Sequence, residues 1–172
     1  MTEIKKIKIY ISSILILLIF QSCSVSYNFT GTGKINASTY QVNYFQNTSE
    51  LVEPGIERDF TQALQNIIQN QTNLTLVPSG GDLIYEGEIV DFRITPMTAT
   101  ADQRAAQNRL TVVVMLRFTH TKVEDDSYEK RYSFFYDYPG QQQLIGSQLR
   151  SGLDEIFERI TQDIFNDSLA KW

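Results

Sequence analysis

The chain is poor in the residues that build reactive centres. Among its 172 residues there is one cysteine, Cys23, and one histidine, His120. One thiol and one imidazole cannot supply a tetrahedral zinc site, and a lone cysteine cannot close an internal disulfide. No G-x-S-x-G elbow and no G-x-x-x-x-G-K-[ST] loop occurs, which removes the α/β-hydrolase nucleophile and the P-loop phosphate cradle. Ser79-Gly80-Gly81 reads as a turn before a strand, whereas a phosphate cradle needs a helix to follow. No catalytic residue, metal or cofactor is expected. Cationic charge is scarce too. Of 15 basic and 20 acidic residues, three basic and one acidic lie in the first 22 positions, leaving 12 and 19 and a net charge of −7. Nucleic acid needs a concentrated basic face, so it is excluded as a partner. Beyond residue 20 no apolar run is long enough to span a bilayer.

The one long apolar run stands at the start. Lys5, Lys6 and Lys8 precede Ile9–Phe20, an apolar stretch within the roughly 7–15 residues of a secretory signal and short of the roughly 18 expected of a spanning helix. Gln21 and Ser22 then lead into Cys23. A small residue before a lone cysteine at the end of such a signal reads as a lipobox, although Phe20 and Gln21 stand where Leu and Ala or Ser are commoner. Residues 1–22 are expected to be removed, and Cys23 to carry acyl chains. Each buried methylene contributes about 0.8 kcal/mol, so several chains make a durable anchor. Ser24 follows, with no Asp there. By analogy with lipoprotein sorting this indicates the outer membrane, facing the periplasm.

The 150 residues that remain suffice for one domain. Residues 23–38 are small, polar and Gly-dotted and read as the lipidated N-terminus and tether, with a single domain over 39–172. Thr39–Phe45 reads as a strand. Ile56, Phe60, Leu64, Ile67 and Ile68 recur at helical spacing, predicting a helix from about Pro54 to Gln71, with Pro54 in its first turn. Leu74–Val77 is either an edge strand or loop. Leu83–Thr95 reads as a long strand closed by Pro96, with Gly87 as its candidate bulge. Thr98–Gln107 is a polar connection. Leu110, Val112, Val114, Leu116 and Phe118 alternate without a break, the pattern of a strand with one buried face. Tyr128–Tyr138 is the next strand, with Tyr128, Tyr132, Phe134, Tyr136 and Tyr138 on one side. A last helix follows Pro139-Gly140, with Ile145, Leu149, Leu153, Ile156, Phe157, Ile160 and Ile164 on one face.

The order is therefore strand, helix, three strands, helix. Strands joined by short turns pair antiparallel, and two single-striped helices can cover one sheet face. The expected fold is a two-layer α+β sandwich, two helices on one face of a four-stranded, mostly antiparallel sheet. The first strand is free to pair at either edge. Thr111, Val113, Met115 and Arg117 fall on the uncovered face.

Two features offer themselves as binding surfaces. The aromatic row on Tyr128–Tyr138 either packs beneath the helices or meets a partner or acyl chains. Arg104, Arg109 and Arg117 are either solvated charge or forked contacts to phosphate or carboxylate on a lipid headgroup. His120, near a strand end, is expected at the surface, and Glu124-Asp125-Asp126 at a charged hairpin tip. Glu86, Glu88, Asp91 and Asp137 are the acids from which a hydrolase pair would have to be drawn. A free periplasm-facing lipoprotein binding a small amphiphile is the alternative to a larger assembly.

Several short stretches together resemble a known family. They are Gln71-Thr72, Gly81-Asp82-Leu83 with Glu86-Gly87-Glu88-Ile89, Ile94-Thr95-Pro96, Asn108-Arg109-Leu110-Thr111, Asp163-Ile164-Phe165-Asn166 and Ala170-Lys171-Trp172. With Cys23-Ser24-Val25-Ser26-Tyr27-Asn28-Phe29 at the start, the chain resembles the LptE family of lipopolysaccharide-assembly lipoproteins, in its Bacteroidetes-type branch. The resemblance implies a two-helix α/β sandwich without enzymatic activity. It implies a complex with the outer-membrane β-barrel LptD, in which the lipoprotein sits in the lumen, assists barrel assembly and helps deliver lipopolysaccharide to the outer leaflet. Basic residues bind lipopolysaccharide in the better-known branch, but no motif carries those positions onto this sequence. Only Cys23 transfers.

Overall fold

The computed structural model of the protein describes residues 35–51, 53–97, 107–140 and 142–170. Its elements are β1 (Thr39–Val42), β2 (Gln46–Asn47), α1 (Ile56–Gln71), β3 (Thr75–Leu76), β4 (Leu83–Met97), β5 (Gln107–His120), β6 (Tyr128–Pro139) and α2 (Gly146–Ser168), with a 3-10 turn at Glu124–Asp126. They form the expected α+β fold, but the sheet has six strands rather than four, in the order β3-β1-β4-β5-β6 with β2 also on β4.

The extra strands have local causes. The first strand splits because Phe45 leaves the ladder: its N–H donates to the Thr61 hydroxyl of α1 at 3.2 Å, while Thr61 donates to the Glu57 carbonyl at 2.7 Å. Both fragments run parallel to β4, Tyr40 opposite Leu83 and Gln46 opposite Glu88. Parallel neighbours need a crossover, and the stretch carrying α1 and β3 supplies it. The Leu74–Val77 run is an edge strand, β3 lying parallel to β1. β4, β5 and β6 form the antiparallel half of the sheet.

Three sequence readings are corrected here. β4 continues through Pro96 to Met97, with Pro96 opposite Asn108. The register shift falls between Ile89 and Asp91 rather than at Gly87. Gly87 instead marks close packing, because a Cβ there would lie 2.0 Å from the Met115 carbonyl oxygen and 2.9 Å from the Phe45 ring. Pro54 lies in the turn before α1, whose N-cap is Gly55.

α1 buries Ile56, Phe60, Leu64 and Ile68, one residue per turn. It ends at Thr72, whose hydroxyl and N–H both donate to the Ile68 carbonyl, at 2.7 and 3.0 Å, so two donors satisfy one of the end carbonyls left open by the helix. α2 buries Leu149, Leu153, Ile156, Phe157, Ile160 and Ile164. Ile145, expected on the same stripe, is its exposed N-cap. Phe60 joins the layers. Its ring meets Phe45 edge-on at 5.0 Å and Phe157 at 5.3 Å, a geometry that ring quadrupoles favour. The aromatic row of β6 does pack beneath the helices: Tyr132 and Tyr138 are buried, and Tyr128, Phe134 and Tyr136 lean on the core. α2 comes so close to β6 that a Cβ on Gly152 would stand 2.8 Å from the Tyr136 ring.

Where the chain enters the sheet, Asp82 ties three segments together. Its carboxylate accepts from the Ser38 and Thr39 N–H groups at 2.8 and 3.2 Å and from Lys122 Nζ at 2.8 Å. Its carbonyl accepts from the Thr121 N–H at 2.9 Å. The Lys122 ammonium, then the backbone donors, hold the Asp82 carboxyl at about 2, below its ordinary 3.8. Of the proposed tether only residues 35–38 are described; Ile35 and Ala37 there pack against the core.

Candidate functional site

Alternation along β4, β5 and β6 places a second set of side chains on the face away from the helices. Read across the strands, the rows are Glu86, Arg117, Glu129; then Glu88, Met115, Arg131; then Asp91, Val113, Ser133; then Arg93, Thr111, Phe135; then Thr95, Arg109, Asp137. Acid stands beside base in the first and last of these rows, and there the pairs close. Arg109 makes a forked bond to Asp137, Nε to Oδ1 at 2.7 Å and Nη2 to Oδ2 at 2.8 Å. Arg117 reaches Glu86 at 3.2 Å and Glu129 at 3.4 Å. Arg93 pairs with Asp91.

The sequence-predicted arginines therefore sit as follows. Arg109 and Arg117 share the outer face of β5, eight residues and about 27 Å apart. They do not converge on one ligand. Arg109 also lies over the Phe135 ring, 3.6 Å from its centroid, a contact that favours the weakly hydrated guanidinium over an ammonium. Hydrogen bonding to Asp137 raises the Arg109 pKa and lowers that of Asp137. The Glu86 bond, then the Glu129 bond, raises that of Arg117. An anionic ligand at either site must compete with carboxylates already in place. Arg104 and Cys23 lie outside the described residues.

The acids do not form a hydrolytic pair. Glu86, Asp91 and Asp137 are each committed to an arginine, and Asp137 is held ionised, the reverse of what a general acid requires. Between Tyr44, Glu86, Glu88, Met115 and Arg117 the face dips into an open cleft of about 380 Å³ with Gly87 in its lining. A second open cleft, about 350 Å³, lies where β6 meets the end of α2. There Tyr132 donates to Asp167 at 2.7 Å and Lys130 reaches the same oxygen at 2.6 Å. Burial raises the Asp167 pKa, but the Lys130 and Tyr132 bonds outweigh it and the net shift is downward. Burial pushes the neighbouring Tyr128 hydroxyl up to about 12. Both clefts are bordered by charged side chains, unlike the enclosed apolar pocket an amphiphile would need.

His120, which its position near a strand end predicts at the surface, is buried. Its Nδ1 accepts from the Lys122 and Val123 N–H groups at 3.2 and 3.1 Å, so the imidazole organises the turn after β5. The role of Asp82 had no sequence signal, because its backbone donors lie 43 and 44 positions away along the chain and Lys122 stands in the turn after β5.

Comparison with known proteins adds a family. The model described as "LptE: Lipopolysaccharide-assembly" matches residues 37–168. No curated protein matches in sequence. A Helicobacter pylori homologue of neuraminyllactose-binding hemagglutinin superposes with TM-score 0.52 at 7% identity, covering 77% of this chain and 86% of that one, which bears on the fold alone. Rare lipoprotein B from Shewanella oneidensis gives TM-score 0.45 at 12% identity, with 74% and 89% covered. A minor lipoprotein from Acinetobacter baumannii gives 0.44 at 12%, with 76% and 91% covered. The last two are too distant to argue from.

Proposed function

The chain belongs to the LptE lipopolysaccharide-assembly family, non-enzymatic outer-membrane lipoproteins of lipopolysaccharide transport, and from that premise we propose that it works as the lumenal partner of an LptD-like β-barrel. The family match across residues 37–168 carries this reading, because it spans both helices and the whole sheet. In this reading Cys23 carries the lipid anchor, the domain faces the periplasm and barrel lumen, and the protein assists barrel assembly.

Lipopolysaccharide contact, in the same reading, runs through the arginines. Arg109 faces one carboxylate and Arg117 faces two, so charge balance favours the end of the sheet that carries Arg109 and leads into the segment with Arg104. A phosphate would take over the fork that Asp137 now occupies.

The test is an affinity pull-down of the tagged, lipidated protein from detergent-solubilised outer membranes, with mass spectrometry of what accompanies it. A large barrel in near-equal amount is the expected result. Recovery of the protein alone, with Cys23 acylated, would overturn the barrel reading.

A further inference from the structure

β6 is the last strand of the sheet, and among the described residues no strand pairs with its outer side. It runs 12 residues without a register shift against β5, and its only proline is the terminal Pro139. A long, unbulged edge is a template for another strand, and proteins ordinarily blunt such edges with free charge. Here two of the charges that would do so are drawn aside. Glu129 is tied across the outer face to Arg117, and Lys130 is tied to Asp167 of α2. Among the described residues Arg131 keeps a free charge on the outer face, and the residues beyond it, Tyr132 to Tyr136, carry none and favour extended structure.

The 350 Å³ cleft opens along this edge, with Lys130, Arg131, Tyr132 and Ser133 on one side and Asp163 and Asp167 of α2 on the other. A groove between an edge strand and a helix is a recurrent seat for an extended peptide. Two exposed charges flank it without a partner among the described residues: Arg131 on the outer face and Asp163 on α2.

We propose that the β6 edge beside α2 receives an extended segment of another polypeptide, which adds to the sheet as a further strand. Successive side chains of a strand point to opposite faces. The fitting segment therefore carries a Lys or Arg towards Asp163 and an Asp or Glu towards Arg131 at neighbouring positions. A second copy of this chain does not fit the edge. α2 lies along β6, with Gly152 at Tyr136, Arg159 over Phe134 and Asp167 at Tyr132. Twofold pairing would bring two such helices over strands about 4.8 Å apart, whereas packed helices need about 8–10 Å. This inference does not depend on the partner being a barrel.

Amide hydrogen exchange tests it on the full-length lipidated protein, alone in detergent and as isolated from outer membranes with its bound chains. Alone, alternate amides of Tyr128–Ser133 should exchange fast. In the isolated assembly those amides should slow at least tenfold. Arg131→Glu and Asp163→Lys should each lower recovery of the assembly at least tenfold, with unchanged melting midpoints of the free protein. Fast edge amides in the assembly, or recovery of a lone protein with a fast edge, would overturn the proposal. Unchanged recovery of both variants would overturn the assigned side-chain chemistry. Slowing in the lone protein at high concentration, with a dimer mass, would overturn it in favour of a second copy. A slowed edge without a barrel would sink only the barrel reading; a barrel with a fast edge would sink only this one.

Discussion

The two faces of β6 come from one stretch of twelve residues and have opposite characters. The inner face (Tyr128, Tyr132, Phe134, Tyr136, Tyr138) is fixed by rings packed under α2. The outer face (Glu129, Arg131, Ser133, Phe135, Asp137) is organised by charges on the neighbouring strand, Arg117 against Glu129 and Arg109 against Asp137. The inner face holds the fold because it removes large apolar area from water. The outer face contributes little to stability, since exposed ion pairs gain little over hydration. It is therefore the face whose residues are free to serve binding.

That contrast can be broken by substitution, beginning with the inner side. Phe60→Ala removes the ring that links Phe45 and Phe157, and unfolding in urea should show a loss of about 4 kcal/mol. A loss under 1 kcal/mol would mean that the layers are held elsewhere. Gly87→Ala forces a methyl against the Met115 carbonyl, so β4 and β5 must part locally. The expected cost is about 2–3 kcal/mol on the same assay.

Asp82→Asn probes the tie at the sheet's start and carries a pH signature. The folded carboxyl sits at about 2 against an ordinary 3.8. Its contribution is thus present above 3.8 and lost as pH falls through about 2. Thermal melts should show the variant less stable at pH 6, and the two proteins converging by about pH 2. A constant gap down to pH 2 would assign the role of Asp82 to packing.

The smallest effect on stability is expected on the outer face. Arg109→Gln should leave the urea midpoint unchanged within error while reducing lipopolysaccharide retention on the purified complex. A lowered midpoint with retention intact would make Arg109 structural.

The same contrast explains what was legible in the sequence. The alternation from Leu110 to Phe118 and the spacing of Ile56, Phe60, Leu64 and Ile68 report burial directly, because a hydrophobic period is set by element geometry. The split of the first strand was hidden, since it depends on the Thr61 hydroxyl catching the Phe45 amide. Gly87 announced a special backbone position without saying which kind. His120 announced nothing, because the two amides that it accepts become neighbours only when the turn closes. On the outer face the arginines were visible, but their carboxylate partners were not. Glu86 lies 31 positions from Arg117 and Asp137 lies 28 from Arg109.

β4 runs 15 residues from the Asp82 tie to Met97, a span of about 50 Å at strand rise. The hydrocarbon layer of a bilayer is only about 30 Å thick. The hairpin is thus a ruler longer than that layer, with the chain's N-terminal approach pinned at one end and Arg109 near the other. Under the proposal that the domain sits in a barrel lumen, such a ruler would reach from one membrane surface to the other without touching the lipid.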